Sequence, residues 1–372
     1  MFLMMAEALE FCAVASARPH SAFWKFLCHQ QSHAEWIGCS LHDMIQPSFS
    51  FLVGAVLPFS LASRAARGQS RLRMTAHALG RALVLILLGV VLRSINAGHV
   101  NWTFEDTLSQ IGMGYGFLFV LGFRPARDFW LAFGAILLGY WAAFALYPVP
   151  SNFDYASVGV PSDWPHLMSG FAAHWNKNSN LAWAFDKWFL NLFPRSRPFL
   201  YNKGGYTTLA FIPTLGTMIL GLIAGNILRD QRPPGAKVKW FILAGALFLT
   251  LSLLAGYWGI CPIVKRIWTP SWTLYSGGWC FLYLAGFYAV IEILGCKRWA
   301  FPLMVIGSNS IAAYCVANIF DTVLDRVSRH FGWDFPPTSS SPYTPLLHGT
   351  IVLLLFWLGL YALYRRKIFL RI

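Results

Sequence analysis

Charged residues are scarce in this sequence: 12% of its 372 residues are Asp, Glu, Lys or Arg, whereas 56% are hydrophobic. Soluble domains carry about 25% charged residues, so this chain has too little charge to cover a soluble surface of its size. The low charge predicts a protein buried in a lipid bilayer. The formal net charge of +14 lies in short clusters between apolar runs, so we expect no nucleic-acid partner.

Several functional motifs are also missing. The sequence contains no P-loop, no G-x-G-x-x-G after a strand, no H-E-x-x-H and no clustered metal ligands, so we expect no metal cofactor. Its seven cysteines include no C-x-x-C pair, which argues against a zinc or redox motif. A disulfide among Cys28, Cys39 and Cys261 is one option, and buried thiols are the favoured alternative.

Ten apolar segments are predicted to cross the roughly 30 Å of hydrocarbon in a bilayer. They lie near Phe2–Ala17, Met44–Ala62, His77–Ile95, Leu108–Phe123, Phe129–Tyr147, Tyr206–Leu228, Trp240–Tyr257, Trp272–Leu294, Phe301–Phe320 and His348–Leu363. The fold class they predict is all-α: a polytopic integral membrane protein with about ten transmembrane helices. We expect a single domain over residues 1–372.

The connections between these segments alternate in charge. Every second connection is basic, and the basic set contains Arg64, Arg67, Arg71, Arg73, Arg124, Arg127, Arg229, Arg232, Lys237, Lys239, Lys297, Arg298, Arg365, Arg366 and Lys367. The positive-inside rule places these connections, and with them both termini, in the cytoplasm.

The longest connection, Pro148–Gly205, then lies outside the cytoplasm. It is rich in Asn, Trp, Pro and Ser and includes HWNKNSN at His174–Asn180. Neutral amides beside aromatic rings suit a sugar-binding surface, so Asn176 and Asn178 are candidate substrate ligands. A folded loop that caps the outer face is the equally weighted alternative, because a connection of this length needs a structural or functional reason.

The stretch His33–Gly54, HAEWIGCSLHDMIQPSFSFLVG, places polar residues at the mouth of the second apolar segment. His33 could act as a general base or as an acylated nucleophile, or simply make one interfacial hydrogen bond. Asp43 and Gln46 have the spacing of a helix N-cap, in which the Asp43 carboxylate would accept hydrogen bonds from the first N–H groups of the helix. Alternatively, Asp43 orients the His33 ring or stabilises its charged form. Their spacing of ten residues does not by itself show contact.

Two further features of the apolar segments remain open. Asp43, Pro47, Ser50 and Gly54 share one helical face of low bulk, which borders either a cavity or a tightly packed neighbour. The buried amides and arginines are compatible with interhelical bonding and anchoring or with ligand contact. These residues are Asn309, Gln110, Arg81 and Arg93.

At H-x-x-W-x-G-x-x-x-x-D-x-x-x-P-x-F-x-F-x-x-G the sequence resembles the heparan-α-glucosaminide N-acetyltransferase family and its bacterial relatives. The matching residues are His33, Trp36, Gly38, Asp43, Pro47, Phe49, Phe51 and Gly54. Three more stretches are similar: Thr208–Leu228, Trp268–Gly278 and Phe301–Cys315. The family's L-D-x-x-R-G segment is absent, and Thr107–Tyr115 lacks the arginine of its V-L-Q-R-I-A stretch.

The resemblance implies acetyl transfer across a membrane, from cytoplasmic acetyl-CoA to the amino group of a glucosamine-like sugar on the other side. His33 and Asp43 match the family's catalytic positions, and both ping-pong and direct transfer stay open. The expected substrate contacts are Trp36, His42, Asn176, Asn178 and Asn309, with Trp36 and Asn309 as oxyanion donors; the expected CoA contacts are Arg64, Arg71 and Arg81.

The resemblance also suggests a multi-pass protein of the bacterial inner membrane. Membrane lipid is an expected partner, and a homodimer is a further option. Two alternatives compete with the amino-sugar acetyltransferase: a membrane transporter or scaffold without acyl-transfer chemistry, and acyl transfer with another donor or acceptor, such as a lipid or peptidoglycan amine. A base at His33 favours chemistry, because a transporter has no need for one there.

Overall fold

The computed structural model describes residues 1–150, 152–319 and 341–370. Its helices, in chain order, are α1 (Phe2–Met5), α2 (Phe11–Ala17), α3 (Ala22–Gln31), α4 (Ile45–Ala66), α5 (Arg71–Ala97), α6 (Thr107–Leu121), α7 (Ala126–Leu146), α8 (Leu181–Phe189), α9 (Phe211–Arg229), α10 (Pro234–Tyr257), α11 (Pro270–Tyr288), α12 (Phe301–Ser308), α13 (Ser310–Ile319) and α14 (Thr344–Arg365). In this part of the chain, β pairing is limited to an isolated bridge between Ile37 and Val264.

The prediction of an all-α, polytopic membrane protein is confirmed. Within the described ranges, seven helices are long and apolar enough to cross a membrane, or eight if the bent pair Arg298–Ser308 and Ser310–Ile319 is one span. The seven are His42–Ala66, Arg71–Ile95, Ala126–Leu146, Thr208–Arg229, Pro234–Tyr257, Pro270–Ile293 and Thr344–Arg365. The count of ten is therefore not reached in the described residues.

Three predicted spans differ from the structure. Phe2–Ala17 is not one helix, because the chain breaks at Glu10, whose φ of 47° lies in the left-handed region. The fourth, helix α6, has 15 residues and rises only about 22 Å. The ninth bends by 71°, and its predicted end at Phe320 lies outside the described residues.

The described residues divide into two compact units. Unit 1 comprises Met1–Ala34, Cys39–Ile45 and Cys296–Ile372, and unit 2 comprises Glu35–Gly38 and Gln46–Gly295. In unit 1, α14 packs on the 3-10 turn Ala6–Leu9, so closely that a Cβ on Gly349 would lie 1.6 Å from the carbonyl oxygen of Ala8.

A disulfide joins Cys12 to Cys28 and ties α2 to α3 within unit 1. The option of a disulfide among Cys28, Cys39 and Cys261 is therefore corrected, because Cys28 pairs with a cysteine in the first apolar segment. The buried thiol of Cys261 matches the favoured alternative for that residue.

Helix α9 lies at the centre of unit 2, and 83% of its most apolar 18-residue stretch is buried. The backbones of α9 and α4 are in direct contact. A Cβ on Gly54 would lie 1.8 Å from the Met218 carbonyl oxygen, and one on Gly221 would lie 1.8 Å from that of Phe51. The low-bulk face predicted on α4 therefore borders a tightly packed neighbour at Gly54, as small residues at helix contacts in membranes allow.

The connection Pro148–Gly205 is folded. Its buried Trp164 and Trp175 pack in one cluster with Trp36, Tyr140 and Phe144 of the same unit.

Helix α8, within this connection, carries the buried Asp186, whose carboxylate accepts a hydrogen bond from the Thr208 backbone N–H at 2.9 Å. Burial raises the pKa of Asp186 to about 7, because a charged carboxylate loses its hydration there.

We predict that Gly221→Ala lowers the stability of the protein by about 1–3 kcal/mol, because the added methyl group must push α4 away from α9. Thermal unfolding of the two purified proteins in detergent measures this. Gly134→Ala is the matched control, since a Cβ there has no neighbour within 4 Å. A midpoint for Gly221→Ala equal to that of the wild type would contradict the backbone contact.

We also predict that the wild type loses stability as pH rises from about 4 to about 8. The pKa of Asp186 is higher in the folded than in the unfolded chain, so its contribution is present below the ordinary aspartate pKa and is lost as pH passes about 7. Asp186→Asn should flatten this part of the profile of thermal midpoint against pH. The exposed Asp163 provides the control, Asp163→Asn, which should keep the wild-type slope.

Candidate functional site

His33 and Asp43 are in contact in unit 1. His33 follows α3 by two residues, and Asp43 lies in the 3-10 turn His42–Met44 that leads into α4. Nδ1 of His33 is 2.8 Å from Oδ1 of Asp43. The Asp43 side chain is 1% exposed and that of His33 is 40% exposed, so the pair has a buried anchor and an accessible imidazole.

The Asp43 carboxylate also organises the loop before it. Oδ2 accepts hydrogen bonds from the backbone N–H groups of Ala34 and Ser40, both at 3.0 Å, and from the Ser40 hydroxyl at 3.1 Å. A helix N-cap accepts from N–H groups two or three residues after it, whereas these donors lie before Asp43. The N-cap interpretation of Asp43 therefore gives way to a role in holding this loop and His33.

This contact sets the tautomer of a neutral His33. An ionised carboxylate only accepts hydrogen bonds, so we assign the hydrogen to Nδ1 of His33 and the lone pair to Nε2. An imidazole with its lone pair on Nε2 and a carboxylate at Nδ1 can take a proton or attack an acyl group.

A second histidine–carboxylate pair lies beside the first. Nε2 of His42 is 2.9 Å from Oε1 of Glu7, and the rings of His33 and His42 have centroids 4.5 Å apart at an interplanar angle of 60°. His42 was predicted as a substrate contact, and the structure brings it to His33. The sequence analysis did not predict a role for Glu7. The sign that could have suggested one is its position, because a carboxylate inside an apolar segment needs a partner.

The end of α3 supports the second pair. The Gln31 side chain accepts from the Phe11 backbone N–H at 2.8 Å and donates to the Ala6 carbonyl at 2.7 Å, next to Glu7. The Gln30 side chain accepts from the Leu41 backbone N–H at 2.9 Å, next to His42. Two adjacent amides of α3 thus hold the segments that carry the second pair.

Both candidate oxyanion donors make hydrogen bonds within the protein, and their role in binding substrate stays a prediction. The Trp36 indole is 1% exposed, and its N–H donates to the Trp175 carbonyl at 3.1 Å. The Asn309 amide is fully buried; it donates to the Ile368 carbonyl and accepts from the Leu370 backbone N–H, both at 3.0 Å. These side chains are engaged by the protein's own backbone, so neither is free to bind substrate in this conformation.

The two amides predicted to bind sugar are likewise engaged. Asn176 is fully buried and donates to the Tyr155 hydroxyl and the Met168 carbonyl. Asn178 is 3% exposed and donates to the carbonyls of Val158 and Asn202. Burial and these bonds agree with the alternative of a folded cap, and the contact of both residues with sugar stays a prediction.

The arginines predicted to bind CoA lie in unit 2. Arg64 is in the last turn of α4 and Arg71 is the first residue of α5, with the Arg71 guanidinium 5.5 Å from the Phe123 ring centroid. Arg81 lies 5.1 Å above the Tyr115 ring, and its buried Nε has no hydrogen-bond partner among the described residues. Their role in CoA binding stays a prediction.

Gln110 makes interhelical hydrogen bonds, which is one of the two alternatives that the sequence left open. The Gln110 side-chain oxygen accepts hydrogen bonds from the side chains of Gln46 and Thr214, both at 3.0 Å, so Gln110 joins α4, α6 and α9.

Among the described residues, no group of three His, Cys, Asp or Glu is arranged to hold a metal ion.

Comparison with known proteins gives two relatives, and no family model matches the chain. Heparan-alpha-glucosaminide N-acetyltransferase of Homo sapiens is 24% identical over 393 residues, which cover 94% of this chain and 56% of the relative. The Mus musculus protein of the same name is 23% identical over 390 residues, which cover 94% of this chain and 57% of the relative. The chain thus spans a little over half the length of these two proteins. The chain is thus similar, along nearly its whole length, to two proteins named heparan-alpha-glucosaminide N-acetyltransferase, which supports a relationship at the level of the family.

Proposed function

We propose that this chain is a membrane acyltransferase that moves an acetyl group from cytoplasmic acetyl-CoA to the amino group of a glucosamine-like sugar on the opposite side of the membrane. The observation that carries the proposal is the contact between His33 and Asp43. It pairs an accessible base with a buried carboxylate at the positions that resemble the family's catalytic residues. The names of the two relatives agree with this chemistry.

In direct transfer, Nε2 of His33 removes a proton from the amine as the amine nitrogen attacks the thioester carbonyl, and Asp43 stabilises the imidazolium. The C–S bond then breaks, and the CoA thiolate leaves with the proton that the imidazolium returns. In ping-pong transfer, Nε2 attacks first and CoA thiolate leaves, so that acetyl-imidazole then passes the acetyl group to the amine. The geometry of the pair suits both routes, because Nδ1 is held by Asp43 in each and Nε2 is the reacting atom.

Positive charge supports the donor side of the proposal. The CoA phosphates need cations, and Arg64 and Arg71 flank one short turn between α4 and α5. Arg81 lies ten residues into α5, about 15 Å along its axis. Its buried Nε, without a bond in the described chain, is a donor for a phosphate or for the amide of the pantetheine arm.

The disulfide supports the proposed sidedness. Disulfides persist in oxidising compartments and are rare in the cytosol. Cys28 precedes His33 by five residues, and its bond to Cys12 favours the extracytoplasmic side for this segment. The alternation of basic connections predicts the same side.

We predict that His33→Ala reduces acetyl transfer at least about 100-fold, the lower range of general acid–base catalysis. Purified protein in detergent, radiolabelled acetyl-CoA and a panel of amino sugars measure this. Asp43→Asn should cause a loss of similar size, because an amide can reverse the tautomer of His33. His29→Ala, which removes an exposed histidine of α3, should keep the wild-type rate.

Transfer at equal rates by wild type and His33→Ala would remove His33 from the mechanism. A wild type that binds no CoA and acetylates no amine would favour the transporter or scaffold alternative. Transfer to a lipid or peptidoglycan amine instead of an amino sugar would keep the chemistry and change the acceptor class.

Sidedness can be tested with cysteine labelling in intact cells. Cys12 and Cys28 should react with a membrane-impermeant maleimide only after an impermeant reductant has been added. Cys296, an exposed cysteine beside the predicted cytoplasmic Lys297 and Arg298, should react only after permeabilisation. The reverse pattern would place the His33 segment in the cytoplasm and contradict the proposal.

A further inference from the structure

An apolar groove lies along α7 in unit 2, with a volume of about 390 Å³. Its lining comes from α7, from the first residue of α8 and from the start of the span Thr208–Arg229, and includes Ala135, Gly139, Ala143, Leu181, Leu209 and Ile212. The three small residues are spaced four apart, so they lie on one face of α7 and form the floor of the groove. All three are exposed, so the groove is open to its surroundings.

Those surroundings are hydrocarbon. The two helices that supply most of the lining, Ala126–Leu146 and Thr208–Arg229, are long and apolar enough to cross a membrane. The floor, residues 135–143, belongs to the half of α7 that leads into the long connection 148–205, and Leu209 and Ile212 follow that connection directly. The groove therefore faces the acyl chains of one leaflet, on the side of the connection.

The lining offers nothing to water. Among the described residues that line the groove, the polar group is the hydroxyl of Tyr140, and this hydroxyl donates to the Ile267 carbonyl at 2.9 Å inside the protein. A water molecule needs two to four polar partners to occupy a cavity. An apolar surface that is left without neighbouring atoms loses dispersion contacts, so the ligand that suits this groove is a hydrocarbon.

The width of the groove decides which hydrocarbon fits. Residues 135–143 rise about 12 Å along α7, so the volume corresponds to a mean cross-section of about 30 Å². An α-helix with its side chains is about 10 Å across, which is a cross-section of about 80 Å². The groove is therefore too narrow to admit a helix from a second copy of the chain, whereas a single unbranched chain can lie along it.

We propose that this groove binds one acyl chain of a membrane phospholipid from the leaflet on the side of the connection. Leu181, Leu209 and Ile212 pack against the buried aromatic cluster of unit 2, so the walls are held in place and the groove keeps its shape. The proposal gives the expected lipid partner a defined site, and it does not depend on acetyl transfer.

The test is photolabelling of the full chain in vesicles of phosphatidylethanolamine and phosphatidylglycerol. The vesicles also contain a small fraction of phosphatidylcholine with a diazirine at the end of one acyl chain. After illumination, mass spectrometry should find adducts on α9 near Ile212, although most of this span is buried. The exposed Leu247 of α10 reports ordinary contact with lipid, so the result is the ratio of adducts at Ile212 to adducts at Leu247.

Gly139→Phe should lower this ratio about fivefold or more, because the added ring occupies the floor of the groove. A Cβ at Gly139 has no neighbour within 4 Å, and the same holds for Gly134. Gly134 lies on a different face of α7 and does not line the groove. Gly134→Phe is therefore the matched control and should keep the wild-type ratio.

A second variant, Ala143→Leu, narrows the other end of the groove and should lower the same ratio. Thermal midpoints in detergent verify that each variant folds. Equal ratios in Gly139→Phe and Gly134→Phe, or labelling of Leu247 without labelling near Ile212 in the wild type, would overturn the proposal. A wild type that is dimeric and becomes monomeric in Gly139→Phe would also overturn it, because a second copy of the chain would then cover the groove.

Discussion

A carboxylate that is removed from water has to find hydrogen-bond donors inside the protein, and Asp43 meets this constraint within its own neighbourhood. It is fully buried and accepts from His33, Ala34 and Ser40. These bonds bend residues 33–43 back on themselves. The orientation of the His33 ring follows from the same bonds. The accessible base therefore depends on a buried anion.

Low charge and long apolar runs were sufficient to predict the all-α membrane class, but they did not predict where helices break. Hydropathy records the cost of placing side chains in lipid, whereas helix continuity depends on backbone hydrogen bonds. The break at Glu10 is held by Gln31, whose side chain bonds the Phe11 N–H and the Ala6 carbonyl. A partner twenty residues away along the chain leaves no trace in the local pattern.

The candidate site was predictable only in part, and for a similar reason. The pairing of His33 with Asp43 came from resemblance to a family, because a spacing of ten residues is compatible with contact or with none. Asn176, Asn178 and Asn309 were attractive as ligand contacts, yet an amide bonds backbone as well as it bonds a sugar, and here the backbone holds all three. Glu7 and His42 are 35 residues apart in sequence, so their contact required the fold.

Asp43 and Glu7 place two carboxylates beside His33 and His42 in a chain whose formal net charge is +14. Two such carboxylates contribute a negative local field, which draws an ammonium ion toward it and repels the polyanionic nucleotide of CoA. Under the proposed function, long-range electrostatic steering would thus sort the two substrates to different parts of the surface. The Debye length at physiological ionic strength is about 8 Å. Added salt would therefore screen this long-range steering before it weakened either histidine–carboxylate contact, where the charged atoms are about 3 Å apart.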